Sequence, residues 1–192
     1  MANRDIWSHA GSLQVRDLLA SLLSTRLLSK RTQTKGVSDP LYVCSPYLTD
    51  FPLFDNAFGQ FRPLFQHHPE FGDLHQILFS QVLVEVANIM PVRLIGVHGK
   101  YADKFLNDLS RLDLPGISGR YASDLYHEKG LLCSAFYLEG SMNFTYSGIY
   151  NRDEKVSAHT PDTPAGIQKI SAATLEFNRL WESRAGSEIS RS

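Results

Sequence analysis

Cysteine is scarce in this chain, and apolar runs of membrane-spanning length are missing from it. Cys44 and Cys133, the two cysteines, form no C-x-x-C pair, so neither a disulfide framework nor a thiolate zinc site is expected. No stretch reaches the roughly eighteen uninterrupted apolar residues of a membrane helix. Arg4, Asp5 and His9 precede any apolar run, which is not the pattern of a secretory signal. We expect a soluble, cytoplasmic protein without stable membrane insertion.

An excess of charge of either sign is also absent. Nineteen Lys and Arg residues stand against twenty Asp and Glu residues, giving a formal net charge of −1, so bulk charge indicates no polyanionic partner. The 192 residues, 43% hydrophobic and 20% charged, have the composition of a globular protein of about one domain. Any nucleic-acid function must therefore depend on a local site.

Helical and extended patterns alternate along the chain without a dividing linker, which predicts an α/β fold with a mostly buried sheet. We predict helices over 12–29, 73–88, 101–112 and from Pro164 after a Thr163 cap. The last helix has an apolar stripe at helical spacing, formed by Ile167, Ile170, Thr174, Phe177 and Trp181. We predict strands over 41–44, 92–97, 117–121 and 155–158, with one or two more within 126–138. Residues 47–72 have no clean period and are interpreted as a long connection.

Residues suited to chemistry begin at the predicted strand after Tyr126. His127 and Lys129 are two positions apart, so in a strand they share one face while Glu128 points to the other. A nucleophile or proton carrier would then stand beside a fixed cation.

A second polar group follows the next apolar segment. Gly140 and Ser141 allow the backbone to turn tightly, and if a helix begins there, its free amides would converge with the Ser141 hydroxyl and the Asn143 amide on an anion. Glu154, further on, is a carboxylate suited to orienting a histidine ring.

This arrangement resembles the phospholipase D superfamily, whose signature is H-x-K, four residues, D, about six residues, then G-S-x-N. His127-x-Lys129 and Gly140-Ser141-x-Asn143 match it in order and nearly in spacing. Family members also carry an acidic residue about a dozen positions later, where this chain has Asn151 and Glu154.

One position departs from the signature. Ser134 stands where the family has a supporting Asp, which bears on how the histidine is positioned and tuned. The strand 41–45 followed by Pro46-Tyr47 is similar to the opening strand of the family.

The resemblance implies a phospholipase D-like domain over 1–186, with a mixed sheet flanked by helices on both faces and a disordered tail over 187–192. It implies metal-independent phosphodiester hydrolysis through a phosphohistidine, without a cofactor. The implied catalytic residues are His127, Lys129, Asn143 and Glu154, and the implied substrate-binding residues are Gly140, Ser141 and Thr145.

The family assembles two H-x-K motifs at one site, and this chain has one complete motif. His98-Gly99-Lys100 has the same letters, but no G-S-x-N follows it, and Gly99-Lys100 is expected to open a helix. Small single-motif members are homodimers whose motifs meet on a two-fold axis. The resemblance therefore implies a homodimer with His127 from both copies in one pocket.

A nuclease acting on DNA or RNA is the favoured interpretation, with partner subunits of a larger complex, as in restriction or phage-defence systems, supplying a positive groove. A lipid phosphodiesterase and a catalytically impaired scaffold stay open as alternatives. The lipid alternative depends on an aromatic loop of Phe51, Phe54, Phe58, Phe61, Phe65 and Phe71, for which core packing is the simpler explanation.

Two other polar groups are interpreted as surface features. The first contains residue types that bind metals, but its spacing, interrupted by Pro and Gly, does not place them on one face of a helix or strand. It consists of His67, His68, Glu70, Asp73 and His75. The second is a charged loop with Lys30, Arg31 and Lys35.

Overall fold

A seven-stranded mixed sheet organises the computed structural model, which describes residues 4–28 and 39–183. The predicted tail at 187–192 and the basic residues Lys30, Arg31 and Lys35 lie outside the described residues. None of the described helices combines the length and the hydrophobicity that crossing a bilayer requires.

The sheet has a parallel half and an antiparallel half. Its strands are β1 (Arg4–Ser8), β2 (Leu41–Cys44), β5 (Val92–Val97), β6 (Ile117–Ala122), β7 (Gly130–Cys133), β8 (Phe136–Gly140) and β9 (Glu154–His159), whereas the third and fourth strands of the chain form a separate sheet. The strand order is β1-β9-β8-β7-β2-β5-β6. Strands β2, β5 and β6 run parallel, and the pairs from β2 through β7, β8 and β9 to β1 are antiparallel.

Helices cover both faces, as predicted, and alternate side chains of the central strands enter two different cores. Leu41 and Val43 of β2 pack into the larger core, whereas Tyr42 and Cys44 pack into the smaller one. The larger core contains buried side chains of α1 (Gln14–Leu28), α3 (Phe79–Ala87), α4 (Lys100–Ser110) and α5 (Tyr146–Tyr150). The smaller core is closed by α6 (Pro164–Ser183).

The capping prediction for α6 is confirmed, and its predicted buried stripe is corrected in one place. The Thr163 hydroxyl accepts a hydrogen bond from the Gly166 amide at 3.1 Å, which fixes the helix start. Ile170, Phe177 and Trp181 are buried as predicted, but Ile167 is 51% exposed. The helix packs on β7, β8 and β9, and Ile167 in its first turn lines a separate surface cleft together with Pro161.

The predicted helix over 73–88 is wrong in its first half. Residues 76–78 form β4 (Gln76–Leu78), which pairs with β3 (Pro52–Asp55) in a small separate sheet. The Phe79 amide then donates to the carbonyl of Phe51 at 2.9 Å, and the helix starts only there. Local periodicity missed this pairing because the partner strand lies inside the segment that was interpreted as a connection.

The aromatic side chains of 51–71 mostly belong to the larger core. Phe51, Phe54 and Phe65 are buried, and Phe61 and Phe71 pack partly buried against them. A 3-10 turn (Arg62–Leu64) and the one-turn α2 (Pro69–Gly72) hold this segment. Phe58 is the exception at 94% exposed. Core packing therefore accounts for most of the rings that the lipid alternative invoked.

Candidate functional site

The two halves of the motif meet at one edge of the sheet. Because β7 and β8 are antiparallel, with Gly130 opposite Glu139, the residues just before β7 lie beside the residues just after β8. Cys44, the last residue of β2, also pairs with Gly130. Three adjacent strands therefore have their ends together at one side of the sheet, where Lys129 precedes β7, Ser45 follows β2 and Gly140 ends β8.

His127 and Lys129 lie in an irregular segment just ahead of β7 rather than inside a strand. The strand cannot extend back to them, since β2 gives way to Ser45-Pro46 and the chain turns away after Gly140. The Lys129 ammonium donates to the His127 carbonyl oxygen, which ties the two residues together. Glu128 lines the same cleft as its neighbours, which corrects the expected alternation of faces.

Gly140 and Ser141, where β8 ends, are packed and hydrogen-bonded against the start of β9. The Ser141 amide donates to the Lys155 carbonyl at 3.0 Å, and the Ser141 hydroxyl accepts from the Lys155 amide at 3.1 Å. A Cβ on Gly140 would lie 2.2 Å from that same carbonyl oxygen, so only glycine allows the two strands to approach this closely.

Glu154 is a buried carboxylate that is hydrogen-bonded to Ser141 of the same chain. The residue is 7% exposed, and its carboxylate accepts a hydrogen bond from the Ser141 hydroxyl. In the described part of the chain no hydrogen bond joins Glu154 to His127. Its direct contact is therefore with the G-S turn, and through that turn it can position the site.

Asn143 is held against the end of β2. The Ser45 hydroxyl lies 3.2 Å from the Asn143 amide oxygen and also donates to the Tyr47 carbonyl at 2.8 Å. Within residues 4–28 and 39–183 the Asn143 side-chain nitrogen has no acceptor, so this donor is available. The Phe144 amide donates to the same Ser45 hydroxyl at 3.3 Å.

No helix begins at Ser141, contrary to the conditional expectation. Helix α5 starts at Tyr146, and the Thr145 hydroxyl caps it by accepting from the Gly148 amide at 3.1 Å. The backbone of 140–144 is instead used in contacts with β9 and β2. The Thr145 hydroxyl is therefore used as the N-cap of α5.

An open cleft of about 670 Å³ lies on the α6 side of this edge. His127, Lys129, Gly140 and Ser141 line it, whereas Asn143, Thr145 and Glu154 do not. The charged residues along it balance in number and are Lys129, Lys155, Lys169, Glu128, Glu139 and Glu176.

One carboxylate of the cleft is already ion-paired with neighbouring basic side chains. Glu139 contacts Lys169 at 3.0 Å and the ring of His159 at 2.9 Å. Burial by itself raises the pKa of Glu139, but the hydrogen bonds and charges of Lys169 and His159 together outweigh it, so the pKa lies below its ordinary value. Glu139 is thus ionised and paired at neutral pH.

Ser134 lies at the end of the β7–β8 hairpin away from the site. The hairpin pairs Cys133 with Phe136, which leaves Ser134 in the connecting turn, exposed. Five residues of extended chain separate it from Lys129, roughly 16 Å. An aspartate at this position would not touch the His127 ring in the same chain.

His98 forms a different local arrangement. Lys100 opens α4 as predicted, and the His98 ring stacks on Tyr121 with centroids 3.6 Å apart. The His98 ring nitrogen lies 3.5 Å from the Asp103 carboxylate. Burial, followed by Asp103, raises the pKa of Tyr121 to about 12. His98 is not among the residues that line the His127 cleft.

The histidine-rich segment 67–75 forms local contacts. His68 lies 3.2 Å from Glu70, and Asp73 accepts from Arg62. Across the described ranges, no group of three or more His, Cys, Asp or Glu side chains is placed to hold a metal ion.

Sequence reasoning missed three residues that the site uses. Ser45 holds Asn143, and Lys155 and Lys169 line the cleft. The Ser45-Pro46-Tyr47 sequence after a strand was a usable signal for the first. The lysines carry no motif, because their place depends on the pairing of β9 and the packing of α6.

No protein-family model matches the chain, and no curated protein matches its sequence.

Solved structures nevertheless share its fold. NucT from Helicobacter pylori matches with a TM-score of 0.57 at 14% identity, over 97% of this chain and 98% of that chain. Nuc from Salmonella typhimurium, a phospholipase D family member, matches with a TM-score of 0.55 at 14% identity, over 100% of this chain and 99% of that chain. Phosphatidylserine synthase from Haemophilus influenzae Rd KW20 matches with a TM-score of 0.51 at 13% identity, over 92% of this chain and 38% of that chain. The predicted phospholipase D-like fold is confirmed.

Proposed function

We propose that this protein, which has the phospholipase D-like fold, is a metal-independent phosphodiesterase of that superfamily and cleaves DNA or RNA. The observation that carries the proposal is the meeting of His127-x-Lys129 with Gly140-Ser141 in one solvent-reachable cleft. The two segments are joined by the β7–β8 pairing. Two matched structures, NucT and the phospholipase D family member Nuc, support a phosphodiesterase by analogy of fold.

The proposed reaction has two displacement steps. A neutral His127 imidazole attacks phosphorus, the P–N bond forms as the P–O bond to the leaving group breaks, and a protonated imidazole gives its proton to the leaving oxygen. That second imidazole, now neutral, takes a proton from water, and the water oxygen attacks phosphorus and releases His127. Atoms and protons balance over the two steps without a further reactant.

The second imidazole is proposed to be His127 of a second copy. A homodimer with the cleft edge on its two-fold axis places two identical histidines on opposite sides of one phosphate, as an in-line displacement requires. His127 suits this role because it is exposed and has no side-chain hydrogen bond in the described part of the chain. It is free to approach both substrate and partner.

The negative charge of the phosphate is proposed to be stabilised by a lysine ammonium and by hydrogen bonds from an asparagine amide. Lys129, beside His127, is the donor that lines the cleft. The motif also assigns the free Asn143 amide nitrogen to the phosphoryl oxygens, although Asn143 lies outside the cleft lining. Glu154 acts through Ser141 as a positioning residue for the turn that carries Gly140. A near-neutral chain leaves wider contacts with a polynucleotide to partner subunits, in a complex of the restriction or phage-defence kind.

The experiment is a cleavage assay on the purified protein. Single- and double-stranded DNA and RNA are incubated with and without EDTA, beside the His127→Ala variant. We expect cleavage that survives EDTA and is lost in the variant. Cleavage abolished by EDTA contradicts the mechanism, and the absence of cleavage for every substrate favours the scaffold alternative.

A further inference from the structure

Trp7 is a large aromatic side chain left in solvent beside the cleft. It lies on the edge strand β1, where it is 67% exposed, and it stands opposite Lys155 of β9. Residues directly opposite in adjacent strands share a face of the sheet. Since Lys155 lines the cleft, Trp7 stands on the cleft side of the sheet, one strand further out.

The cleft continues from the motif residues as a groove along the sheet. Its floor includes Glu139 of β8 and Ser157 of β9, and one wall is α6, which presents the small side chains of Ala172 and Ala173. Trp7 borders the floor on the side away from α6, because β1 is the outermost strand. A chain leaving the His127 end would pass between α6 and Trp7.

The lysines of this groove differ in their availability. Lys169 is paired with Glu139. No carboxylate pairs with Lys129 or Lys155 across residues 4–28 and 39–183. The Lys155 ammonium instead lies 5.1 Å from the centre of the Trp7 ring. One unpaired cation thus stands at the motif, and another stands against an exposed indole.

We propose that Trp7 and Lys155 form a subsite for an unpaired nucleobase next to the cleaved phosphate. The base stacks on the indole, and the Lys155 ammonium contacts a neighbouring phosphate oxygen, which is the pairing of aromatic and basic groups that holds single strands. Bases within a duplex are already stacked and paired, so they cannot lie flat on this ring. The subsite therefore selects single-stranded nucleic acid, and this inference rests on the proposed function.

Affinity is measured with a single-stranded oligonucleotide in a His127→Ala background, which prevents cleavage. Replacing Trp7 by Ala is expected to weaken binding about 5- to 150-fold, the range that loss of one stacked base gives. Trp7→Phe, which keeps a ring, retains most of the affinity. Lys155→Gln lowers the slope of log affinity against log salt by about 0.7, the value for one phosphate contact on a single strand.

Two controls separate stacking from a general loss of structure. Phe58→Ala removes an even more exposed ring, outside the cleft-lining residues, and is expected to leave oligonucleotide affinity unchanged. A strand that is abasic throughout is expected to bind more weakly than the normal strand and to lose nothing further on Trp7→Ala.

The outcomes distinguish this inference from the proposed function. Wild-type cleavage with equal affinity in Trp7→Ala overturns the subsite and leaves the phosphodiesterase proposal standing. Trp7-dependent binding without cleavage by the wild-type protein overturns the catalytic proposal and supports the subsite. Failure to bind any strand, or Trp7-dependent binding to anionic phospholipid vesicles in place of oligonucleotides, overturns the subsite.

Discussion

The Ser141 hydroxyl donates a hydrogen bond to the buried carboxylate of Glu154 and accepts one from the Lys155 amide. This pair joins the turn after β8 to the first residue of β9. These two hydrogen bonds hold Gly140 and Ser141 at the same end of the sheet as His127 and Lys129, which immediately precede β7. The carboxylate that the motif places late in the chain thus acts on the turn.

Removing the Ser141 hydroxyl is therefore expected to destabilise the fold. Ser141→Ala leaves the Glu154 carboxylate, 7% exposed, without its hydroxyl donor and should lower the free energy of unfolding by about 1–3 kcal/mol. Urea denaturation measures this value. Ser134→Ala, in the exposed hairpin turn, is the matched control and should change it by less than about 0.5 kcal/mol. Equal effects of the two changes would contradict the proposed link.

The close approach at Gly140 predicts a second difference between similar variants. A Cβ at Gly140 meets the Lys155 carbonyl oxygen at 2.2 Å, whereas a Cβ at Gly99 meets nothing within 4 Å. Gly140→Ala should lower the free energy of unfolding by about 1–3 kcal/mol through overpacking. Gly99→Ala, in extended backbone at the N-cap of α4, should cost less than about 1 kcal/mol, the loss of a favourable cap residue. A neutral Gly140→Ala in thermal denaturation would refute the strand contact.

The paired carboxylate of the cleft predicts a pH dependence of stability. Because Lys169 and His159 lower the pKa of Glu139 below its ordinary value of 4.5, the ionised form stabilises the fold. This stabilisation is present above pH 4.5 and is lost as the pH falls through the lowered value. The difference in Tm between wild type and Glu139→Gln should therefore shrink in acid.

The control for this titration is Glu128→Gln. Glu128 lines the same cleft but forms no ion pair within residues 4–28 and 39–183, so its replacement should give a small Tm difference at every pH. A Glu139→Gln difference that stays constant from neutral pH into acid would exclude the stabilising pair.

Introducing the aspartate of the phospholipase D signature at position 134 should have little effect on the proposed cleavage. Ser134 lies roughly 16 Å along the chain from Lys129, beyond the distance at which an exposed charge acts through physiological salt. The kcat/KM of Ser134→Asp on an oligonucleotide should stay within about threefold of wild type, because a screened charge contributes little at this range. A gain of a hundredfold or more would show that this position acts on the site.

Much of the fold could be predicted because the relevant patterns are local. Strands 41–44 and 92–97 were predicted with their observed limits, since each is a short apolar run bounded by Pro, Gly or polar residues. The Thr163 cap was also predicted correctly. The missed strands β1, β3 and β4 are short and are defined by partners distant in sequence, as Trp7 is by Lys155.

The site could be predicted in part for the same reason. The H-x-K and G-S-x-N residues carry their own signature, and the hairpin between them brings His127, Lys129, Gly140 and Ser141 into one cleft. Lys155, Lys169 and Trp7 have no signature of their own. Their positions beside the motif arise from sheet order and from the packing of α6, which no local pattern encodes.

Nucleophilic attack by His127 is tested most directly by trapping the covalent intermediate. Purified protein is mixed with an oligonucleotide in EDTA and quenched under conditions that preserve phosphoramidates, and its peptides are analysed by mass spectrometry. We expect a nucleotidyl phosphoryl adduct on His127, formed during turnover and missing from His127→Asn. Cleavage that proceeds with no adduct on His127, or with the adduct on another residue, would contradict nucleophilic attack by His127.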